Sequence, residues 1–187
     1  MPVLLAGPAG EPLTVADMKD FLRVTHDAED SLIALLVTTA RQMVESLTGR
    51  LLLTQDWRLT LDAWPPSGLI LPPLAPVASL IAARLRHGDG SETAIAPSTF
   101  TLRGDRAPPV IGFARGTVPA PDRPLGGIEL DLRLGYGAGG AQVPADLVQA
   151  VRLLAAHLYE HRDMAGSTTL PPDPVRALLA PYRRVRL

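Results

Sequence analysis

Three stretches of this chain carry residue types at spacings that chemistry uses. His157-Leu158-Tyr159-Glu160-His161 matches H-x-x-E-H, the inverted pattern of zinc peptidases. Histidines at i and i+4 lie on one helix face and can share a zinc ion, with the glutamate beside them as general base. Gly135-Tyr136-Gly137-Ala138-Gly139-Gly140 fits G-x-G-x-x-G, which in a dinucleotide fold brings a helix N-terminus against a pyrophosphate. The last residues, Tyr182-Arg183-Arg184-Val185-Arg186-Leu187, join a tyrosine to three arginines, a set that can contact phosphate or stack on a base.

Each stretch has a plainer reading. His157 lies one step from the apolar Leu154/Leu158 stripe, and Glu160 and His161 fall where a helix end is expected. The downstream acids are Asp163 and Asp173, and no later helix offers a glutamate as third zinc ligand. The glycine run precedes a helix expected to start near Pro144, so the glycines lie before the helix rather than in its first turn. No second strand with an acidic end comes after it, and a strand-to-helix loop accounts for the glycines. The four histidines, His26, His87, His157 and His161, form no triad with a serine on an elbow. Residues 174–187 hold four arginines and no acid, a small footprint for DNA. A protein groove suits them better, because Arg and Tyr are favoured at interfaces. A zinc peptidase using His157, Glu160 and His161, and a DNA-binding module using the tail, remain as alternatives to a non-enzymatic protein with no metal or cofactor.

Composition narrows the class. The 187 residues are 47% hydrophobic, enough for one domain with a core or a core with excursions. Net charge is −1, so bulk electrostatics favour neither nucleic acid nor membrane. Cysteine is absent, which excludes disulfides and thiolate chemistry. No apolar run reaches the ~18 residues of a transmembrane helix. The start, MPVLLAGPAGEP, lacks a basic n-region, so synthesis in the cytoplasm is expected. Charge is uneven: residues 1–62 are net negative and residues 174–187 net positive.

The elements that position these residues can be read from periodicity. Thr14-x-x-Asp17 reads as a capping box opening a short helix that ends near Val24. A second helix runs from Asp27 or Asp30 to Thr48, with Leu32, Ile33, Leu36, Ala40, Met43, Val44 and Leu47 as its apolar face and Gly49 as its stop. Asp56 to Ala63 alternates as a half-buried strand, with Trp57, Leu59, Leu61 and Ala63 facing inward. Shorter strands are expected at 69–71, 77–86, 93–95, 100–102 and 110–111, with Gly88-Asp89-Gly90 as a hairpin turn. Ile128 to Leu134 gives a second alternating strand. Pro144 is expected at the first position of a third helix reaching about Arg162, and Asp173 as N-cap of a fourth that Pro181 stops. The predicted class is α+β. Residues 1–52 supply the N-terminal helices of a bundle, 53–141 an antiparallel β insert, 142–180 the C-terminal helices, and 181–187 a basic tail.

These pieces, in order, resemble the head–tail connector (adaptor or head-completion) proteins of tailed bacteriophages, in the version found in proteobacterial prophages and gene transfer agents. The resemblance rests on Leu13-Thr14-Val15-Ala16-Asp17-Met18-Lys19 leading to Leu22-Arg23-Val24, and on Glu45-Ser46-Leu47-Thr48-Gly49-Arg50. It continues through Thr54-Gln55-Asp56-Trp57-Arg58-Leu59, Leu134-Gly135-Tyr136-Gly137, Val143-Pro144-Ala145-Asp146-Leu147 and Ala177-Leu178-Leu179-Ala180-Pro181-Tyr182-Arg183. It implies a virion protein forming a homo-oligomeric ring, commonly of twelve copies, on the portal protein. Such a ring extends the DNA channel without sequence-specific contact and carries a stopper or tail-completion protein. By the same resemblance, Leu179, Pro181, Tyr182, Arg183, Arg184, Val185, Arg186 and Leu187 form a portal-binding tail. No membrane contact is implied.

Overall fold

The computed structural model describes residues 2–104, 108–161 and 171–183. The chain separates into a helical unit, residues 9–53 and 137–187, and a β unit, residues 1–8 and 54–136.

In the helical unit, α1 (Val15–Leu22) starts where local chemistry dictates. The Thr14 hydroxyl accepts the Asp17 N–H at 3.0 Å, and the Asp17 carboxylate accepts the Thr14 N–H at 2.9 Å. This reciprocal cap satisfies two donors that a helix N-terminus leaves open. The 19-residue α2 (Asp30–Thr48) ends at Gly49, whose φ of 65° is left-handed, and the Gly49 N–H closes on the Glu45 carbonyl at 2.8 Å. A side chain at that φ costs about 1 kcal/mol. The third helix, α3 (Ala145–Glu160), has Pro144 as its N-cap, one position before the expected site. The fourth, α4 (Asp173–Leu179), is capped at Pro172 rather than Asp173. Pro181 does not stop the chain's winding: a 3₁₀ turn runs over Ala180–Tyr182, because proline is tolerated where no helical N–H is needed.

Ile33, Val37, Ala40 and Val44 of α2 are buried, as are Leu147, Val151, Leu154 and Ala155 of α3. Each fully buried Leu or Ile contributes about 1.5–3 kcal/mol. The Tyr159 hydroxyl, at the end of α3, donates to Glu29 at the start of α2, so the two helices run antiparallel. Two charged residues of α2 are also buried. Arg41 donates to Glu45 at 2.8 Å and to Glu11 at 2.7 Å, and Glu45 accepts the Leu52 N–H at 2.8 Å. The pair ties the segments flanking α1 and α2 to the helix itself.

The β unit holds two sheets. The larger has the order β1 (Val3–Ala6), β2 (Gln55–Leu61), β8 (Ile128–Leu134), β4 (Val77–Arg86), β5 (Glu92–Ile95); the smaller is β3 (Leu69–Ile70), β7 (Val110–Phe113), β6 (Phe100–Arg103). Their ladders are antiparallel. In the register Trp57 faces Leu132 and Leu59 faces Leu130, so the alternating residues of β2 and β8 share one face. The expected hairpin joins β4 to β5, with the Gly90 N–H on the His87 carbonyl at 3.1 Å. Trp64 packs on Phe113 and Phe100, with centroids 5.2 and 5.9 Å away, and donates to the Pro119 carbonyl.

Two differences from the sequence reading stand out. Residues 3–6, expected with the helices, form an edge strand on β2 and belong with the sheet. Four consecutive apolar residues show no alternation, so nothing local marked them as a strand. Ala63, expected to face inward, is exposed, because the chain leaves the sheet after Leu61.

Candidate functional site

The enzyme-like stretches resolve first. His157 and His161 stack, with ring centroids 4.2 Å apart, and His161 Nδ1 lies 2.9 Å from the His157 carbonyl. Among the described residues no three His, Asp or Glu side chains group to hold a metal ion. In the glycine run, a Cβ on Gly140 would sit 2.1 Å from the Pro12 carbonyl oxygen, and one on Gly137 would sit 2.6 Å from Gln142. These glycines admit the chain's own atoms where a nucleotide would need the space. A 3₁₀ turn over Gly140–Gln142 and Val143 separate the run from α3, so its N–H groups do not aim at the loop as a phosphate cradle does.

The C-terminal stretch is partly built into the helical unit. Leu179 is 1% exposed. The Tyr182 hydroxyl lies 2.8 Å from each oxygen of Asp146, in the first turn of α3, and the Arg50 guanidinium sits 5.2 Å over the Tyr182 ring. Pro181 and Arg183 are exposed. Arg184, Val185, Arg186 and Leu187 lie outside the described residues. Leu179 and Tyr182 therefore anchor the segment as far as Arg183, where the described chain ends at the surface.

The α2 surface carries a second apolar face that the sequence merged with the first. Of the residues expected to form its core stripe, Ile33, Ala40 and Val44 are buried, whereas Leu32, Leu36 and Met43 are only half-buried. Leu35 and Leu47 are 62% and 37% exposed. At 100° per residue, Leu32, Leu35, Leu36, Met43 and Leu47 occupy one arc beside the buried one. The stripe ends at a surface pit lined by Leu47, Pro171, Arg176, Leu179 and Arg183.

In the β unit, the polar face of the larger sheet is a ladder of cross-strand charges. Arg58 grips Asp131 at 2.7 and 3.0 Å, Arg84 reaches the same carboxylate, and Glu129 bridges Arg58 and Arg86. Burial pushes the Asp131 carboxyl up, but the Arg58 hydrogen bonds and the charges of Arg58 and Arg84 outweigh it and hold it below its ordinary value. Arg133 likewise holds Asp56 down. Positive and negative charges alternate, so this face cancels its own field rather than presenting a basic track.

Residues 12–87 match the family model described as phage gp6-like head-tail connector protein. A chain from the neck of an empty gene transfer agent (GTA) particle, computed with C6 symmetry, is 36% identical over 100% of this chain and 97% of its own, with a TM-score of 0.85. The chain belongs to the head–tail connector family. A second relative, from the virion of a native GTA particle, is 34% identical with the same coverage and a TM-score of 0.85. A third, from the neck of a native GTA particle computed with C12 symmetry, is 34% identical with a TM-score of 0.82. No curated protein matches the connector. No helix among its described residues is long and apolar enough to cross a membrane. The sequence signal for the second α2 face was ambiguous: the apolar positions of α2 read as a single stripe, and periodicity did not say which half of it was core.

Proposed function

We propose that this connector is a non-enzymatic ring protein of the capsid–tail junction. Copies close around the channel, commonly twelve of them, sit on the portal and carry a stopper or tail-completion protein. DNA passes through without sequence-specific contact. One observation carries the reading: 36% identity over the whole chain with a protein of a GTA neck. Cyclic rings need heterologous contacts, in which two different patches of one subunit meet. The half-exposed arc of α2 is available for one such patch.

The portal contact falls on the C-terminal segment. Leu179 and Tyr182 hold its root, and Pro181, Arg183, Arg184, Val185, Arg186 and Leu187 supply the reach. Removing Arg184–Leu187 spares the Tyr182–Asp146 contact, so the variant folds. The expected result is lost co-purification with a cognate portal and no ring on the portal in electron microscopy. Retained portal binding would refute the tail assignment.

A further inference from the structure

We infer that the ring contact of the helical unit seats Phe21 and Asp20 of one copy in the pit beside Leu47 of the next; this rests on the ring reading above.

The pit joins apolar and basic residues: Leu47, Pro171 and Leu179 line it together with Arg176 and Arg183, which form its basic rim by charge. Arg176 already shares its charge with Asp173 at 2.9 Å, whereas Arg183 is exposed. Such a site suits an apolar side chain with a carboxylate next to it.

The same unit displays that combination once, at the end of α1, among the described residues. Phe21 is 44% exposed, and the Arg152 guanidinium lies 5.8 Å from its ring centroid. Asp20 beside it is exposed. The exposed Arg23 follows two residues after Phe21, and then Asp27, Glu29 and Asp30, which leave the corner net acidic, with Lys19 bonded to both Asp27 and Asp30. The acidic corner and the basic rim reproduce locally the opposite charges of residues 1–62 and 174–187.

The Phe21 corner of a chain cannot reach that chain's own pit. Lys19 ties the α1 corner to Asp30, at the first turn of α2, while Leu47 is in its last turn. The two ends lie roughly 25 Å apart at 1.5 Å per residue. Complementary patches at opposite ends of one helix make a head-to-tail contact between copies, the type that closes rings.

The absence of cysteine makes the test direct. Full-length connector carrying Phe21→Cys and Leu47→Cys is assembled on its cognate portal and oxidised, and the products are separated without reductant. Head-to-tail contact gives a ladder of multiple connector copies, while either single-cysteine variant gives none. Adding Asp20→Arg should reduce the ladder at least tenfold, and adding Arg176→Asp to that variant, which leaves the portal-binding tail intact, should restore it. Rings visible by microscopy without the ladder would overturn this contact and leave the ring reading standing. A cross-link to the portal would also overturn it, by giving the pit another occupant. Absence of both rings and ladder would overturn both.

Discussion

The Tyr182 hydroxyl sits 2.8 Å from both carboxylate oxygens of Asp146, 36 residues earlier in the chain. The contact fixes the end of the described C-terminal segment against the start of α3. It anchors the described C-terminal segment through Tyr182.

Replacing Tyr182 with Phe keeps the ring under Arg50 and removes the hydroxyl. A hydrogen bond to a charged group contributes about 1.5–3 kcal/mol, less where it is half-exposed. The expected result is a drop of about 1–2 kcal/mol in urea unfolding and faster trypsin cleavage after Arg183. Unchanged cleavage would show that the hydroxyl does not anchor the segment.

Arg41 and Glu45 test the buried charge pair. Burial, partly offset by the Leu52 N–H and Arg41, pushes the Glu45 carboxyl above its ordinary value. Arg41→Met leaves Glu45 without its cation and should cost about 3–5 kcal/mol. The double variant Arg41→Met, Glu45→Gln should recover more than half of that loss. Equal thermal midpoints for the single and double variants would contradict this account.

Asp131 gives the β unit a pH dependence. Its folded pKa is depressed, so its stabilisation is complete above the unfolded value near 3.8 and is lost as pH falls through the lower folded value. Urea midpoints should therefore fall as the pH drops below about 4. Asp131→Asn should be less stable at pH 7 by about 1.5–3 kcal/mol and should lose less in the acid window. An identical acid slope in both proteins would exclude Asp131 as its source.

Gly140 decides the reading of the glycine run. Its Cβ would meet the Pro12 carbonyl oxygen at 2.1 Å, and backbone cannot swing aside as a side chain can. Gly140→Ala should cost about 1–3 kcal/mol, while Gly139→Ala, whose nearest neighbour would be 3.7 Å away, should cost far less. Thermal unfolding of the two variants compares them directly.

Local physics made much of the architecture legible in the sequence. The Thr14/Asp17 cap, the Gly49 stop, the alternation of β2 and β8 and the Gly88–Gly90 hairpin each depend on residues a few positions apart. The α+β class and the family resemblance came from their order. Other features required the tertiary structure, because their partners are distant in sequence. Four residues of β1 become a strand only because β2 offers an edge. Which arc of α2 is core depends on where α3 lies, so of two residues in the expected stripe Val44 is buried and Leu47 is exposed. Tyr182 looked like part of a free tail until Asp146, brought close by folding, claimed its hydroxyl. Periodicity names an apolar face, but burial is a property of the packed neighbour, and only the fold supplies that neighbour.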